Sequence, residues 1–255
     1  MKKFFIAFAL LASLLTGCSE TYKSDPYSSY RKYTAADLFH KAQISIRKER
    51  FSDAVDQLEA MDAMYPFGPY AERSQLDIIY AYYKNSDASS AIVAADRYTH
   101  LYPRGKHVDY ALYMRGLASF EVGTSWLQRK LKVNLAVRDT DTLRQAYVAF
   151  STLRRQFPKS AYTASAHHYL IMIRNMMAER YLYVAKHYCR LGAYMACANR
   201  AAALVQHYEG TLFVPDALGM MVTSYRKLGL TDLADRSLRV LATTYPASSA
   251  YQSLK

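Results

Sequence analysis

The amino-acid sequence predicts an all-α protein built as a solenoid of five helix hairpins. Within Ser52–Tyr83, small and apolar residues recur at helical spacing on both sides of a stop at Tyr65-Pro66, which predicts two consecutive helices. Proline ends the first helix because it lacks a backbone N–H and disfavours the helical conformation of the preceding residue. Similar aromatic–proline pairs return at Tyr102-Pro103, Phe157-Pro158 and Tyr245-Pro246. A hairpin repeated at nearly constant spacing is typical of a solenoid, in which each unit packs on its neighbours.

Residues 1–17 are predicted to form a lipoprotein signal peptide. Two lysines precede an apolar stretch, residues 4–15, that is too short to span a bilayer. The motif Leu15-Thr16-Gly17-Cys18 resembles the bacterial lipobox, which implies cleavage before Cys18 and attachment of diacylglycerol and an N-acyl chain to it. Serine rather than aspartate at the next position implies the outer membrane. We therefore expect a protein anchored by lipid to the periplasmic face of the outer membrane, with no cofactor besides these lipids.

The net charge restricts the class of partner. Removing the signal peptide deletes Lys2 and Lys3 and no acidic residue, so the net charge falls from +12 to +10. A basic chain suits nucleic acid, anionic lipid or an acidic protein. Export argues against nucleic acid, which leaves a membrane surface, an acidic partner, or solvated helix faces with an excess of lysine and arginine.

The first half of the mature chain is expected to hold three hairpins. Residues 18–33 are polar and rich in tyrosine, so we interpret them as a lipidated tether, and residues 34–160 as hairpins one to three. These hairpins fit the 34-residue tetratricopeptide (TPR) pattern, which predicts a right-handed solenoid. The pattern requires a large apolar residue, a small residue four positions later, an alanine early in the second helix and a closing proline. In the first hairpin these residues are Leu38, Ala42, Ala54 and Pro66.

The third hairpin carries an insert, residues 123–141, between its two helices. The insert contains the only tryptophan, Trp126, and a basic amphipathic run. One interpretation is a loop or short helix that packs Trp126 onto the solenoid. The other is a partner-binding projection, since long loops in compact proteins often carry function.

Residues 161–246 are predicted to contain an extra helix and hairpins four and five, followed by a tail, residues 247–255. The extra helix is expected at about Ala161–Met177, and the fourth hairpin at about residues 178–208. Cys189 and Cys197 lie late in one predicted helix and early in the next, so a disulfide across the hairpin is conceivable. Plain core cysteines are the favoured interpretation, because free cysteine is often buried.

No catalytic or metal-binding motif emerges from the sequence. It lacks a G-x-S-x-G elbow, an H-E-x-x-H helix and a glycine-rich phosphate loop. Two cysteines at this spacing match no zinc pattern, and the adjacent His167 and His168 do not share a helix face. We therefore predict a protein that is not an enzyme and has no metal site.

A stripe along the first helix of each hairpin is the candidate binding surface. In TPR arrays, which this sequence resembles, that stripe lines the concave wall, and here it is aromatic and apolar with cations at its rim in the first half. The predicted substrate-peptide groove comprises Phe39, Ile46, Arg47, Arg73, Leu76, Tyr80, Tyr83, Lys84, Tyr113 and Phe120. Such a wall suits an apolar, aromatic-bearing peptide with a carboxylate. The alternative is that the N-terminal segment or tight curvature covers these side chains.

The corresponding stripe of the second half is polar and basic. Its members are Arg180, Tyr183, His187, Arg190, Asp216, Thr223, Arg226 and Lys227. This half is therefore expected to hold an acidic folded partner through polar and charged contacts.

Longer motifs resemble a known family. Tyr65–Tyr70, YPFGPY, followed by Gln75–Lys84, QLDIIYAYYK, is similar to the hallmark of the BamD (ComL) family, the lipoprotein subunit of the outer-membrane β-barrel assembly machinery, BAM. Further matching stretches are Asp96–Pro103, Asp109–Leu117, Arg138-Asp139, Phe157–Tyr162 and Ala193–Arg200. The resemblance runs from about Tyr33 to Pro246.

The resemblance implies a non-enzymatic scaffold for the folding and insertion of outer-membrane proteins. It implies that the C-terminal repeats dock the last periplasmic domain of BamA, with Asn199 and Arg200 matching the family's contact position; Arg226 and Lys227 are added as candidates from the basic stripe. It also implies that the N-terminal repeats bind the targeting signals of unfolded barrel substrates, and that BamC, where present, lies along the N-terminal half.

Two other function classes remain as alternatives. One is a periplasmic TPR lipoprotein adaptor for cell-wall synthesis enzymes. The other is a helical-solenoid enzyme such as a lytic transglycosylase, which carries a separate catalytic domain for which this chain leaves no spare length.

Overall fold

The computed structural model describes residues 25–123 and 141–255, and every regular element in these ranges is a helix. The all-α class is therefore confirmed for the part of the chain that is described. The predicted signal peptide, the lipidation site Cys18 and the start of the tether lie outside the described residues. So does most of the insert, including Trp126.

The helices follow one another as hairpins. A short 3-10 helix, Ser28–Tyr30, comes first. The α-helices of the described ranges are α1 (Ala35–Arg47), α2 (Phe51–Met64), α3 (Ala71–Lys84), α4 (Ala88–Leu101), α5 (Val108–Gly123), α6 (Asp141–Gln156), α7 (Thr163–Arg190), α8 (Tyr194–His207), α9 (Val214–Lys227), α10 (Thr231–Thr244) and α11 (Ser249–Gln252). Each helix packs on the next, and α3 also packs on α5 and α7 on α9. The first helices of hairpins two and three, and of hairpins four and five, are thus in contact, and the five-hairpin solenoid with its handedness stays a prediction.

Local signals explain where the hairpins turn. Helix α1 begins with a capping box, in which Thr34 Oγ1 accepts from the Asp37 N–H at 3.2 Å and the Asp37 carboxylate accepts from the Thr34 N–H at 3.0 Å. The turns inside hairpins four and five each place a glycine in the left-handed region, Gly192 at φ 74° and Gly229 at φ 72°. Glycine adopts this conformation without the steric cost that a Cβ atom adds.

Helix α7 corrects one sequence prediction. The extra helix expected at Ala161–Met177 and the first helix of hairpin four form a single helix of 28 residues, Thr163–Arg190. The predicted boundary is absent because this stretch contains neither proline nor glycine, and nothing in it stops helix propagation.

This long helix also joins two hydrophobic cores. Its first half contributes Ala166, Leu170 and Ile173 to a core formed by α1 to α6. Its second half contributes Leu182 and Ala185, with Ala178, to a core formed by α8 to α10. Because an unbroken helix resists bending, α7 fixes how the two halves of the protein are joined.

The second correction concerns the two cysteines. Cys189 and Cys197 form a disulfide, with their Cα atoms 5.2 Å apart. The favoured interpretation as free core cysteines is therefore wrong. The last turn of α7 and the first turn of α8 face each other across the turn at Gly192, which brings the two side chains together.

The end of the chain packs back on the fifth hairpin. Helix α11 lies in the predicted tail and contacts α9 and α10. A Cβ atom on Gly219 of α9 would lie 3.2 Å from Ala250 Cβ of α11. The absence of a side chain at Gly219 therefore lets α11 approach α9 closely.

Candidate functional site

A cleft between the first helices of hairpins one to three contains part of the predicted groove. Its volume is about 380 Å³. Helices α1, α3 and α5 and the turn before α7 supply its walls, which consist of Gln43, Ile46, Arg73, Leu76, Asp77, Tyr80, His107, Tyr110 and Tyr162. We call it the N-terminal cleft. Four predicted groove residues line it: Ile46, Arg73, Leu76 and Tyr80.

A polar network lies within this cleft. Asp77 Oδ2 accepts a hydrogen bond from Gln43 Nε2 at 2.6 Å, and Asp77 Oδ1 accepts one from Arg73 Nε at 3.1 Å. The side chain of Asp77 is only 10% exposed, and its burial raises the pKa of its carboxyl group, against the opposing effects of Arg73 and Gln43. Asp77 was not among the predicted groove residues; its spacing of four from Arg73 on one helix is the signal that could have identified it, because oppositely charged residues at this spacing can pair.

Tyrosines form the aromatic wall of the N-terminal cleft. The Tyr110 and Tyr162 rings lie 5.8 Å apart, and Tyr80 meets Phe51 edge-on at 6.0 Å. Burial is the largest cause that raises the pKa of Tyr110, so its phenol stays protonated at neutral pH and keeps an O–H donor. Tyr162 precedes α7, outside the repeated hairpins, and no repeat pattern marked it.

The cleft adjoins a basic depression. This depression, of about 440 Å³, shares Arg73, Leu76 and His107 with the N-terminal cleft and adds Pro69, Glu72, Arg104, Gly105 and Lys106. Arg104 and Lys106 are exposed in the turn between α4 and α5. An aromatic, half-buried cavity therefore continues into a surface with excess positive charge.

The predicted groove residues of hairpin three lie elsewhere. Tyr113 stacks on Tyr162 at 4.9 Å and its hydroxyl is hydrogen-bonded to Ser165 Oγ at 2.9 Å. Phe120 meets Tyr169 edge-on at 5.2 Å. The beginning of α7 and the turn before it therefore cover this part of the stripe.

The remaining groove candidates do not line the N-terminal cleft. Phe39 stacks on Tyr70 at 5.0 Å, and the Lys84 ammonium lies 5.6 Å from the centre of the Phe51 ring. Arg47 is exposed. Tyr83 is half-buried, and its pKa is raised by burial first and by the nearby Glu121. Of the ten predicted groove residues, four therefore line the cleft, two are covered by α7 and the turn before it, and four belong to neither group.

A second site contains the predicted partner-binding residue Arg200. Three arginines, Arg144, Arg180 and Arg200, line a pocket of about 490 Å³ together with Met177, Tyr181, Val184 and Tyr208. We call it the arginine pocket. Arg144 pairs with Asp141 at 2.7 Å, whereas Arg200 is exposed and has no ion pair within the described ranges. Because guanidinium groups bind carboxylates through paired hydrogen bonds, this pocket suits an acidic side chain.

The other partner-binding candidates are not part of that pocket. Asn199 is exposed beside Arg200 on α8. Arg226 and Lys227 are exposed in the last turn of α9 and do not line the arginine pocket.

Neither a metal site nor a membrane span is found in the described residues. Within these two ranges, no group of three histidine, cysteine or acidic side chains is placed to hold a metal ion. None of the described helices combines the length and apolar character that crossing a membrane requires.

Comparison with known proteins gives a consistent set of relatives. Residues 31–241 match the YfiO family, described as an outer membrane lipoprotein. The chain is 32% identical to the outer membrane protein assembly factor BamD of Neisseria meningitidis, over 97% of this chain and 93% of the relative. It is 32% identical to the protein of the same name from Vibrio cholerae, over 91% and 94%. Among solved structures, a tetratricopeptide repeat protein from Parabacteroides merdae is similar with a TM-score of 0.42 and 13% identity, over 86% and 72%.

Proposed function

The chain belongs to the YfiO family of outer membrane lipoproteins, whose similar members are named outer membrane protein assembly factor BamD, and on this premise we propose that it is a non-enzymatic scaffold of the BAM complex. Its N-terminal cleft captures the targeting signals of unfolded barrel substrates. Its C-terminal hairpins hold the periplasmic part of BamA. The observation that supports the proposal most strongly is the continuity of an aromatic cleft with a basic depression.

The chemistry of the N-terminal cleft supports a specific type of peptide. Tyr80, Tyr110 and Tyr162 offer ring faces and edges to an aromatic side chain. Arg104 and Lys106 offer positive charge to a carboxylate at the end of the same peptide. Arg73 is partly neutralised by Asp77, so the exposed cations of the depression are the stronger candidates for the carboxylate.

Peptide binding tests this part of the proposal. The probe is a fluorescein-labelled peptide that copies the end of an outer-membrane barrel and finishes with phenylalanine and a free carboxylate. We expect Tyr80→Ala and Arg104→Glu each to weaken binding about tenfold in fluorescence anisotropy, the effect of truncating a contact worth more than 1 kcal/mol. Tyr147→Ala and Arg155→Glu on α6 are the matched controls. If the cleft variants bind as tightly as their controls, the cleft is not the peptide site.

The arginine pocket supports docking of an acidic partner surface. An exposed arginine without an ion pair within the described residues leaves its hydrogen-bond donors available to another protein. We propose that Arg200 donates to a carboxylate of BamA, with Asn199 beside it.

Co-purification from detergent-solubilised outer membranes tests this contact. We expect Arg200→Glu to reduce the recovered BamA at least about fivefold, because a charge reversal places two negative groups against each other. Arg239→Glu, on α10, changes the net charge equally and should leave BamA recovery unchanged. Recovery of cell-wall synthesis enzymes in place of BamA would favour the adaptor function instead.

The anchor is proposed separately, since Cys18 lies outside the described residues. Diacylglycerol and an N-acyl chain on Cys18 would hold the protein on the membrane, because each buried CH₂ group contributes about 0.8 kcal/mol. Mass spectrometry of the mature N-terminal peptide should show both modifications. An unmodified N-terminus would contradict the anchor.

A further inference from the structure

A second, larger cleft lies at the C-terminal end of the protein. Its volume is about 660 Å³. Helices α7 and α9 form two walls, and α11 with the residues after it forms the third; the lining residues are Tyr183, Lys186, Cys189, Arg190, Asp216, Gly219, Met220, Thr223, Ala250, Ser253 and Leu254. We call it the C-terminal cleft. It shares no residue with the arginine pocket or with the N-terminal cleft.

Apolar groups form the floor of this cleft. Tyr183 and Met220 face it from α7 and α9, and Leu254 faces it from the chain end. Tyr183 is exposed although it is aromatic. A volume of this size lies within the range that is typical of ligand-binding pockets in proteins. The floor therefore suits an apolar anchor.

The charges at the edge of the cleft are not balanced. Lys186 and Arg190 are four residues apart on one face of α7. Lys186 Nζ lies 4.0 Å from Asp216 Oδ2, and both side chains are about half exposed, so this pair is loose. Arg190 has no ion pair in the part of the chain that is described. One positive charge beside an apolar floor is complementary to one carboxylate beside an apolar side chain.

Two hydroxyl groups in the lining of the cleft favour a peptide over a hydrocarbon chain as its ligand. Thr223 Oγ1 donates to the Gly219 carbonyl at 2.9 Å, and Ser253 Oγ donates to the Ala250 carbonyl at 3.0 Å. Their hydrogens are thus engaged, and their lone pairs remain as acceptors within the cleft. A peptide backbone carries N–H groups that donate to such acceptors, whereas an acyl chain has none.

We propose that the C-terminal cleft binds an extended peptide segment in which an apolar side chain precedes an acidic one. The apolar side chain rests on Tyr183 and Met220, and the carboxylate accepts hydrogen bonds from Arg190. The backbone N–H groups donate to Thr223 and Ser253. This site is additional to the two proposed above and does not depend on the identity of either partner.

Methionine-methyl NMR tests the proposal at the site itself. The protein carries Cys18→Ala so that it is not lipidated, and the Met220 methyl resonance is assigned by its loss in Met220→Leu. The probe is the N-acetylated, C-terminally amidated peptide Ser-Gly-Leu-Phe-Glu-Ser-Gly, whose only charge is the glutamate. We expect a saturable shift of the Met220 methyl. Replacing the glutamate by glutamine should weaken binding about tenfold, because hydrogen bonds to charged groups are the stronger ones.

Matched variants separate the cleft from nonspecific effects. Arg190→Glu should weaken binding about tenfold, and Arg239→Glu, with the same change of net charge, should not. Thr223→Trp fills the cleft and should abolish the peptide-induced shift of the Met220 methyl, whereas Thr243→Trp on α10 should not. Tyr80→Ala in the N-terminal cleft should leave this binding unchanged, so failure here and failure of the proposed substrate site are distinguishable.

Four results would overturn the proposal. The first is no Met220 shift at millimolar peptide, and the second is equal binding of the glutamine peptide. The third is a larger Met220 shift with monomeric lysophosphatidylglycerol than with the peptide, which would assign the cleft to lipid. The fourth is a Met220 shift that depends on protein concentration alone, which would assign it to a second copy of the chain.

Discussion

At the scale of single residues, the N-terminal cleft depends on a carboxylate that is costly to ionise. Asp77 is buried, and burial raises its pKa even though Arg73 and Gln43 bind it. The side chains of Asp77, Arg73 and Gln43 are thereby held in fixed positions in the lining of the cleft. Because Asp77 neutralises part of the positive charge of Arg73, we propose the more exposed Arg104 and Lys106 as the groups that bind the substrate carboxylate.

The raised pKa of Asp77 leads to a prediction about stability and pH. A carboxyl group with a raised pKa in the folded state stabilises that state below its unfolded pKa of about 3.8, and this contribution is lost as the pH rises through the folded value. Asp77→Asn removes the titration. We therefore expect the stability of Asp77→Asn relative to the parent to be greater at pH 7 than at pH 4, measured by urea unfolding followed by circular dichroism.

Asp37→Asn is a useful control for this experiment. Hydrogen bonds from Thr34 lower the pKa of Asp37, so its contribution is present above the unfolded pKa and is lost as the pH falls. The relative stability of Asp37→Asn should change with pH in the opposite direction. The same direction for both variants would contradict the roles assigned to the two carboxyl groups.

Gly116 provides a second prediction at this scale. A Cβ atom there would lie 2.5 Å from the Phe150 ring, which is fully buried between α5 and α6. Gly116→Ala should lower the free energy of unfolding by about 1–3 kcal/mol, the usual cost of overpacking a core. Urea unfolding measures the difference.

A double-mutant cycle identifies the cause of that loss. Phe150→Leu shortens the side chain that the new methyl group would meet. Adding Gly116→Ala to Phe150→Leu should therefore cost less than Gly116→Ala alone. If the losses of stability in the two single variants simply add in the double variant, the destabilisation by Gly116→Ala does not arise from contact with Phe150.

At the scale of elements, the helices with explicit start and stop signals are the ones that sequence reasoning located well. Tyr65-Pro66 and Tyr102-Pro103 lie directly after α2 and α4, as the stop signals predicted. The boundary predicted near Met177 came from the register of the repeats and had no stop signal of its own. Whether a helix propagates depends on the residues at each position. No residue near Met177 stops the helix, so α7 continues through the boundary that the repeat register predicted.

The candidate site was predictable in part for a similar reason. The repeat pattern identified Ile46, Arg73, Leu76 and Tyr80, because each lies at an equivalent position on its helix. It could not identify Tyr162, since this residue belongs to no repeat. It also placed Tyr113 in the groove, although the residues at the start of α7 cover that ring.

The disulfide between α7 and α8 leads to a prediction at this scale. It joins two residues that are 8 positions apart in the sequence, and in the chain-entropy model such a bridge stabilises by about 2–3 kcal/mol. Reduction with dithiothreitol should lower the free energy of unfolding by about this amount. The double variant Cys189→Ala with Cys197→Ala should show no response to dithiothreitol. A parent protein that is equally stable with and without reductant would contradict a stabilising role for the bridge.

At the scale of the whole molecule, one long helix connects the two halves that carry the proposed sites. The core that α7 shares with α1 to α6 supports the N-terminal cleft, whereas the arginine pocket lies where the two cores meet, with Met177 packed on the first core and Tyr181 and Tyr208 on the second. The proposed function requires this division, because a scaffold must hold a substrate and a partner at the same time. The two sites share no lining residue, although hairpin three contributes Tyr110 to the first and Arg144 to the second, so a variant in one should leave the other intact.

Site-specific photo-crosslinking in living cells tests this division most directly. A photoreactive phenylalanine analogue replaces Tyr80 in one strain and Asn199 in another, and the crosslinked proteins are identified by mass spectrometry. We expect position 80 to capture unfolded outer-membrane barrel proteins and position 199 to capture BamA. Capture of the same protein at both positions, or of barrel substrates at position 199 alone, would contradict a scaffold whose two ends bind different proteins.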